Sequence, residues 1–327
     1  MAIPTSFDHA SSRSLPLSES DSRSHDDNSP VSGRALRPNV SPLRFAHPAE
    51  AEIARLLDFN GIRWQYEPTT FTVRTCAQGL PVQSFTPDFY LPDENLYIEM
   101  TTMRQSFVTR KNRKFRLLRE LYPQLNVKLL YRKDVELILD RYTSPHAEIR
   151  ADTPLQRVIR GEQIERRCTE MAEALLEPTS GSYCLLALGA SSVHAQALIG
   201  RELKAAGKTV TNGLLIVQRF GKNATTSAVR LETEIELDLN TSTIVVVADI
   251  VGTGLTALTA LRWMRGEGAN RIRLVALLDR RSSRLVDVPL EISGFIATSS
   301  WHVGAGLGQH PSSRELPDMH IVLPSVG

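Results

Sequence analysis

IVVVADIVGTGLTALTAL, residues 244–261, is the stretch that decides the fold. Its four β-branched residues, Ile244 to Val247, predict a buried strand running to Asp249. Gly252, Thr253 and Gly254 make a short loop, and the Ala/Leu-rich run from Leu255 predicts a helix. Such a turn aims backbone N–H groups and the positive end of a helix dipole at one point, a geometry suited to phosphate. Thr253 and Thr256 add hydroxyl donors, and the glycines allow a ligand close to the backbone.

Working outward, strands are predicted near Tyr183–Leu188, Gly213–Gln218, Thr243–Ala248 and Ile272–Leu278. Helices near Val193–Ala206 and Leu255–Gly266 alternate with them, which predicts a parallel sheet with helices on both faces. A long helix is expected over Leu155–Leu176, and the period-two run at 229–239 predicts a half-exposed hairpin strand. Upstream, residues 44–143 form a second α/β pattern. It has a helix over His47–Asn60, extended segments at Trp64–Tyr66, Thr70–Thr75 and Gln83–Tyr90, and a strand at Leu96–Met100. A basic helix over Phe107–Tyr122, a strand at Val127–Tyr131 and a helix at Asp134–Tyr142 complete it.

The expected organisation is a disordered tail over 1–43, rich in Ser, Pro, Asp and Arg, then an α/β domain at 44–143. A linker at Ser144–Thr153 leads to a second α/β domain at 151–327. A length of 327 residues accommodates this arrangement, and a net charge of +2 fits a soluble globular chain. No apolar run approaches a membrane span, and the N-terminus lacks a secretory layout. Cys76, Cys168 and Cys184 are scattered, so neither a disulfide frame nor a zinc site is expected and a reducing cytoplasm is the expected compartment.

The stretch Ala248-Asp249-Ile250-Val251-Gly252-Thr253-Gly254-Leu255-Thr256 resembles the PRPP-binding motif of type I phosphoribosyltransferases, most closely the hypoxanthine-guanine branch. The resemblance covers roughly residues 151–327 and implies a Rossmann-like parallel sheet with a hood. It implies that Asp249 holds the ribose hydroxyls, and that Gly252, Thr253, Gly254, Leu255 and Thr256 bind the 5′-phosphate. Gly189 and Ala190, in the loop after the first strand, would meet pyrophosphate together with Arg314. Arg280 stands where relatives place a lysine for the purine O6, and Trp301 is placed to stack on the purine. A mobile loop at Arg219–Ser227 would close over PRPP. The implied cofactor is Mg2+, the implied partners are PRPP and a purine base or nucleotide, and a homo-oligomer is compatible with the resemblance.

Three acidic positions of the family pattern are altered. Ala248 replaces an acid of the ribose- and metal-binding pair, Gly252 the general base for purine N7, and Gly308 an aspartate near magnesium pyrophosphate. A general base is typically worth ~10²–10⁴ in rate. The pattern therefore defends PRPP binding more firmly than turnover.

Residues 86–102, TPDFYLPDENLYIEMTT, resemble the core of the PD-(D/E)xK nucleases through Asp88 and Glu99. The resemblance implies a metal held by Asp88, Glu99 and Glu50, with Thr101 standing where the family lysine belongs. Lys111 and Lys114 precede Phe115 and Leu118 by four residues, so they point toward the sheet and are candidates for the missing lysine. Between Met100 and Arg119 seven residues are basic and none acidic, which suits a nucleic-acid backbone at the basic helix 107–121. Three functions stay open at this point. They are a purine phosphoribosyltransferase, a non-catalytic PRPP or nucleotide sensor controlling the first domain, and a magnesium nuclease with a sensing second domain.

Overall fold

The computed structural model describes residues 44–101, 105–143, 153–178, 180–218, 230–233, 242–297, 301–308 and 311–323. The expected tail, nearly all of the expected linker, and the mobile loop at Arg219–Ser227 lie outside these residues.

Helix α1 (Pro48–Phe59) begins where His47 Nδ1 accepts from the Ala49 N–H, with Pro48 in the first turn. Asn60 ends it by donating from its side-chain amide to Leu56 O (2.8 Å). Strands β1 (Gln65–Tyr66), β2 (Phe71–Thr75), β3 (Pro81–Phe85), β4 (Phe89–Leu91) and β5 (Leu96–Thr101) follow. Then come α2 (Gln105–Leu121), β6 (Val127–Tyr131) and α3 (Arg132–Thr143). The sheet order is β1-β4-β5-β6, with β5 and β6 parallel, while β2 and β3 pair as a separate hairpin. The single segment expected over Gln83–Tyr90 is thus divided between two sheets. Pro87, which has no N–H to donate, sits at the break.

The second half comprises β7 (Leu155–Ile159), α4 (Gly161–Leu175), β8 (Ser182–Leu188), α5 (Val193–Ala205), β9 (Thr209–Gln218) and β10 (Arg230–Thr233). It continues through β11 (Thr243–Val251), α6 (Leu255–Gly266), β12 (Ile272–Asp279), β13 (Leu290–Ile296), β14 (His302–Val303), the short α7 (Pro311–Arg314) and β15 (Met319–Val322). The main sheet runs β10-β9-β8-β11-β12-β13 and is parallel except for β10, giving the expected α/β fold. The expected helix over Leu155–Leu176 requires correction, because its first turn is strand β7. Leu155, Val158 and Ile159 mimic helical spacing, yet they pair antiparallel with β15 in the small sheet β14-β15-β7. The helix starts only at Gly161, where Gln163 Oε1 accepts from the Arg160 N–H (3.0 Å).

Apolar side chains cover both faces of the main sheet. Val245, Val247 and Leu277 pack under α4 and α5, and Ile244, Val246 and Ala276 pack under α6. A third cluster joins the two halves of the chain: Ile53, Leu57, Phe89, Ile98 and Ile138 share it with Leu255, Leu285 and Val286. Polar contacts reinforce this seam. Thr259 donates to Asn60 O (3.0 Å), and Arg262 pairs with Glu94. Residues Phe45–Gly327 accordingly form one compact unit.

Candidate functional site

In the main sheet β8 is flanked by β9 on one side and β11 on the other. The helix after β8 packs on one face and the helix after β11 on the opposite face. Their loops diverge at the carboxyl ends of the two strands, which is the switch point where open α/β sheets bind ligands. Both candidate loops stand there.

The first is Gly189–Ser192. Gly189 and Ala190 lead into a 3-10 turn, and the two serines reach across to β11. Ser191 Oγ donates to Asp249 Oδ2 (2.7 Å), while Asp249 N–H donates to Ser192 Oγ (2.9 Å). Ser192 Oγ in turn donates to Leu188 O (3.0 Å). Asp249 is therefore oriented by the neighbouring loop and remains half-buried.

The second loop runs from Gly252 to Gly254, with Leu255 and Thr256 opening α6. Gly254 caps the helix at φ 85°, and a Cβ there would lie 2.4 Å from Val286 O. Glycine is thus required for two independent reasons. Thr253 is buried, and its carbonyl accepts from the Leu285 and Val286 N–H groups (2.9 and 3.0 Å). The segment after β12 therefore straps the Gly252–Gly254 loop from outside.

Arg284 completes the strap. Its Nε donates to Gly252 O (2.9 Å) and its Nη2 to Val251 O (3.0 Å) and Asp279 Oδ1 (2.5 Å). Asp279 is buried and also accepts from Arg281 Nε (2.7 Å). Sequence reasoning missed Asp279, Arg284, Ser191 and Ser192. Arg284 reads as one more surface cation beside Arg280 and Arg281, and only the fold turns it inward.

Arg280 is buried, with its Nη2 3.4 Å from His302 Nδ1. His302, unremarkable in the sequence, is a missed neighbour of that position. Trp301 lies beside it and is 40% exposed, leaving part of its ring open to a ligand. Arg314 donates from Nε to Gly308 O (2.7 Å) and its carbonyl accepts from Gly306 N–H (3.0 Å), so it organises the Gly304–Gly308 turn. The three altered acidic positions have distinct surroundings. Ala248 is buried in the apolar layer with Val251 and Ala257. Gly308 has φ 110°, and a Cβ there would lie 2.5 Å from Ser313 Oγ. Arg284 holds the carbonyl of Gly252.

In the first half of the chain, Asp88 and Glu99 lie near each other at the β4–β5 pair. Asp88 Oδ2 accepts from Met100 N–H (2.6 Å), and Glu99 pairs with Lys111, which also donates to Met100 O. Burial is the main cause that raises Asp88 to about 6 and Glu99 to about 8. Glu99 Oε2 and Thr101 Oγ1 are buried without a hydrogen-bond partner among the described residues. Lys114 instead donates to Ser84 O (3.2 Å), and Glu50 accepts from Tyr66 OH (2.8 Å) and Ala46 N–H (3.0 Å). Among the described residues no three His, Cys, Asp or Glu side chains form a metal-holding group. Arg113, Arg116 and Arg119 of α2 are exposed. No helix among the described residues is long and apolar enough to cross a membrane.

Residues 161–310 match the family described as "Phosphoribosyl transferase domain". The hypoxanthine-guanine phosphoribosyltransferase of Bacillus subtilis is 32% identical over 114 residues, 34% of this chain and 62% of that protein. The protein of the same name from Lactococcus lactis is 28% identical over 116 residues, 36% of this chain and 63% of that protein. The chain thus spans under two thirds of the length of these curated relatives. A solved hypoxanthine-guanine phosphoribosyltransferase from Bacillus anthracis is 23% identical and covers 53% of this chain and 99% of that chain, with a TM-score of 0.46. Residues 161–310 are thus similar to a phosphoribosyltransferase domain, and the curated relatives matched are hypoxanthine-guanine phosphoribosyltransferases.

Proposed function

We propose that the domain binds PRPP and a 6-oxopurine at the switch point and transfers the phosphoribosyl group, giving a nucleoside monophosphate and pyrophosphate. The observation that carries this reading is the pairing of the two loops, with Asp249 held by Ser191 and Ser192 beside a glycine-capped helix start. In this reading Gly252 to Thr256 receive the 5′-phosphate, and Asp249 accepts from the ribose hydroxyls. Gly189, Ala190 and Arg314 face pyrophosphate, while Arg280 donates to the purine O6 and Trp301 covers the ring. Mg2+ generally takes one or two carboxylates plus substrate phosphates. Asp249 supplies one carboxylate, a fit for an ion that arrives with PRPP, and such an ion would neutralise charge on the departing pyrophosphate.

No carboxylate stands at 252, so proton removal from purine N7 falls to water or buffer, and turnover is slowed by ~10²–10⁴. The test is product formation from PRPP with hypoxanthine or guanine in magnesium. Slow, saturable formation of IMP or GMP supports the transfer reading. Saturable binding with no product replaces it with a sensor of PRPP or nucleotide.

A second reading concerns the first half of the chain and rests on Lys111 beside Glu99. That contact puts an ammonium from α2 next to the two buried carboxylates, where the nuclease pattern needs a lysine. Asp88 and Glu99 would hold Mg2+ for phosphodiester hydrolysis, and the exposed arginines of α2 would meet a nucleic-acid backbone. Magnesium-dependent cleavage that vanishes in Asp88→Asn supports this. Cleavage that persists in the variant, or no cleavage by the native protein, overturns it.

A further inference from the structure

The β4–β5 ladder stops at Pro87, and the stop opens a group of oxygens. Tyr97 N–H donates to Asn126 O, so the alternate residues Ile98 and Met100 turn their backbone groups toward β4. Phe89 pairs with Ile98, and continuing that register sets Pro87 opposite Met100. Proline has no N–H to give, so Met100 O lacks a strand donor on that side. Side chains take over instead. Met100 N–H donates to Asp88 Oδ2 (2.6 Å), and Met100 O accepts from Lys111 Nζ.

The Lys111 ammonium also pairs with Glu99 Oε1, and its charge acts on Asp88. Glu50 and Glu67 act on Asp88 as well, so a single ammonium faces several carboxylates. Two buried acceptors beside it stay unused. Glu99 and Thr101 are each 2% exposed, and neither Glu99 Oε2 nor Thr101 Oγ1 has a hydrogen-bond partner among the described residues. Residues two apart on a strand share a face, so both atoms stand on the side of β5 that Lys111 covers. Unmet buried oxygens are costly, and a set of carboxylate, hydroxyl and carbonyl oxygens suits a hard divalent cation.

We propose that Lys111 is the resident cation of a divalent-metal site: its ammonium occupies the place of Mg2+ or Mn2+ among Asp88, Glu99, Thr101 and Met100 O, and the metal binds by exchange with it. That assignment rests on the nuclease reading of the first half and adds the regulation of its site. The ammonium is the movable member. It reaches in from α2 with 22% of its side chain exposed, whereas the oxygens belong to the end of the β4–β5 pair. A flexible four-carbon stem lets it swing into solvent while those oxygens stay in place. The exchange sets two positive charges against the carboxylates in place of one, and it gives Glu99 Oε2 and Thr101 Oγ1 a partner.

The test is Mn2+ binding, by calorimetry and electron paramagnetic resonance, to the full-length protein, Lys111→Met and the double variant Lys111→Met with Glu99→Gln. Circular dichroism checks the folding of each. Lys111→Met should bind Mn2+ at least about tenfold more tightly than native protein, because the competing ammonium is gone. The double variant should lose that binding event. Amine labelling of native protein, read at Lys111 by mass spectrometry, needs no variant to fold, and it should rise saturably with Mn2+. Equal or weaker Mn2+ binding in Lys111→Met overturns the exchange. So does a gain that survives in the double variant, or Lys111 labelling that Mn2+ fails to raise. Magnesium-dependent cleavage together with equal Mn2+ affinity in native protein and Lys111→Met keeps the nuclease reading and overturns the exchange alone. Tighter Mn2+ binding in Lys111→Met with no cleavage by native protein supports the exchange and overturns hydrolysis alone.

Discussion

Replacing Arg284 with methionine removes the guanidinium that ties the Gly252–Gly254 loop to the sheet while keeping most of the aliphatic stem. Three acceptors lose a donor: Gly252 O, Val251 O and Asp279 Oδ1. A hydrogen bond to a charged group contributes about 1.5–3 kcal/mol. Breaking a buried ion pair by removing one partner costs about 3–5 kcal/mol. Asp279 keeps Arg281, so the loss belongs at the lower end, about 3 kcal/mol. Urea unfolding of native protein, Arg284→Met, Asp279→Asn and the double variant measures it. The double-mutant cycle should return a coupling of about 1–3 kcal/mol between the two side chains. Affinity for PRPP should fall in Arg284→Met, because the Gly252 carbonyl is then unrestrained. Arg284→Lys should recover only part of both losses, since an ammonium does not reproduce the planar fork. A cost below about 1 kcal/mol with unchanged PRPP affinity would refute the strap.

The buried Glu99 makes stability fall with rising pH. Its pKa is raised to about 8 in the folded chain, so the native state holds the proton more tightly than the unfolded state, and the contribution present below the ordinary glutamate range is lost up to about pH 8. In chelator-containing buffer Glu99→Gln should flatten that slope, and an unaltered slope in denaturant titrations would contradict the burial argument. Gly308→Asp should fail to restore activity and should cost about 1–3 kcal/mol in the same unfolding assay, because φ is 110° and a Cβ would lie 2.5 Å from Ser313 Oγ. A more active, equally stable variant would show that the turn yields. Leu255→Ala should cost about 2–5 kcal/mol and raise hydrogen exchange in both α1 and α6, since Leu255 is fully buried in the cluster that joins them. Loss of protection in α6 alone would separate the two halves.

The strand–loop–helix turn at 244–261 was legible because its signals agree: β-branched residues, then glycine, then helix formers. The β8 and β12 strands were legible as short apolar runs. Leu155–Ile159 was not, because five residues fit either period and the deciding fact is an edge of β15 some 160 residues away. Helical spacing turns Lys111 and Lys114 alike toward the sheet, and only the tertiary structure pairs Lys111 with Glu99 and Lys114 with Ser84 O; Glu50 could not be placed, since its partners Tyr66 and Ala46 depend on how the chain enters α1. The seam between the halves left no local mark either. Leu255 and Leu258 look like the ordinary apolar face of α6, and only the tertiary structure shows that Leu255 meets Ile53 and Phe89 in one cluster. Arg284 illustrates the same limit, because a guanidinium in a basic cluster declares nothing about the carbonyls it caps.

The central claim is that the loop from Gly252 to Thr256 receives the phosphate of PRPP. Calorimetric titration of the full chain with PRPP in magnesium, repeated on Gly254→Ala with its folding checked by circular dichroism, tests it most directly. The account predicts saturable binding by the native protein and affinity at least about tenfold weaker in the variant, a loss of about 1.4 kcal/mol. The reason is that the added methyl group collides with Val286 O at a backbone φ of 85°. Absence of saturable PRPP binding, or equal affinity in a folded Gly254→Ala, would contradict the claim.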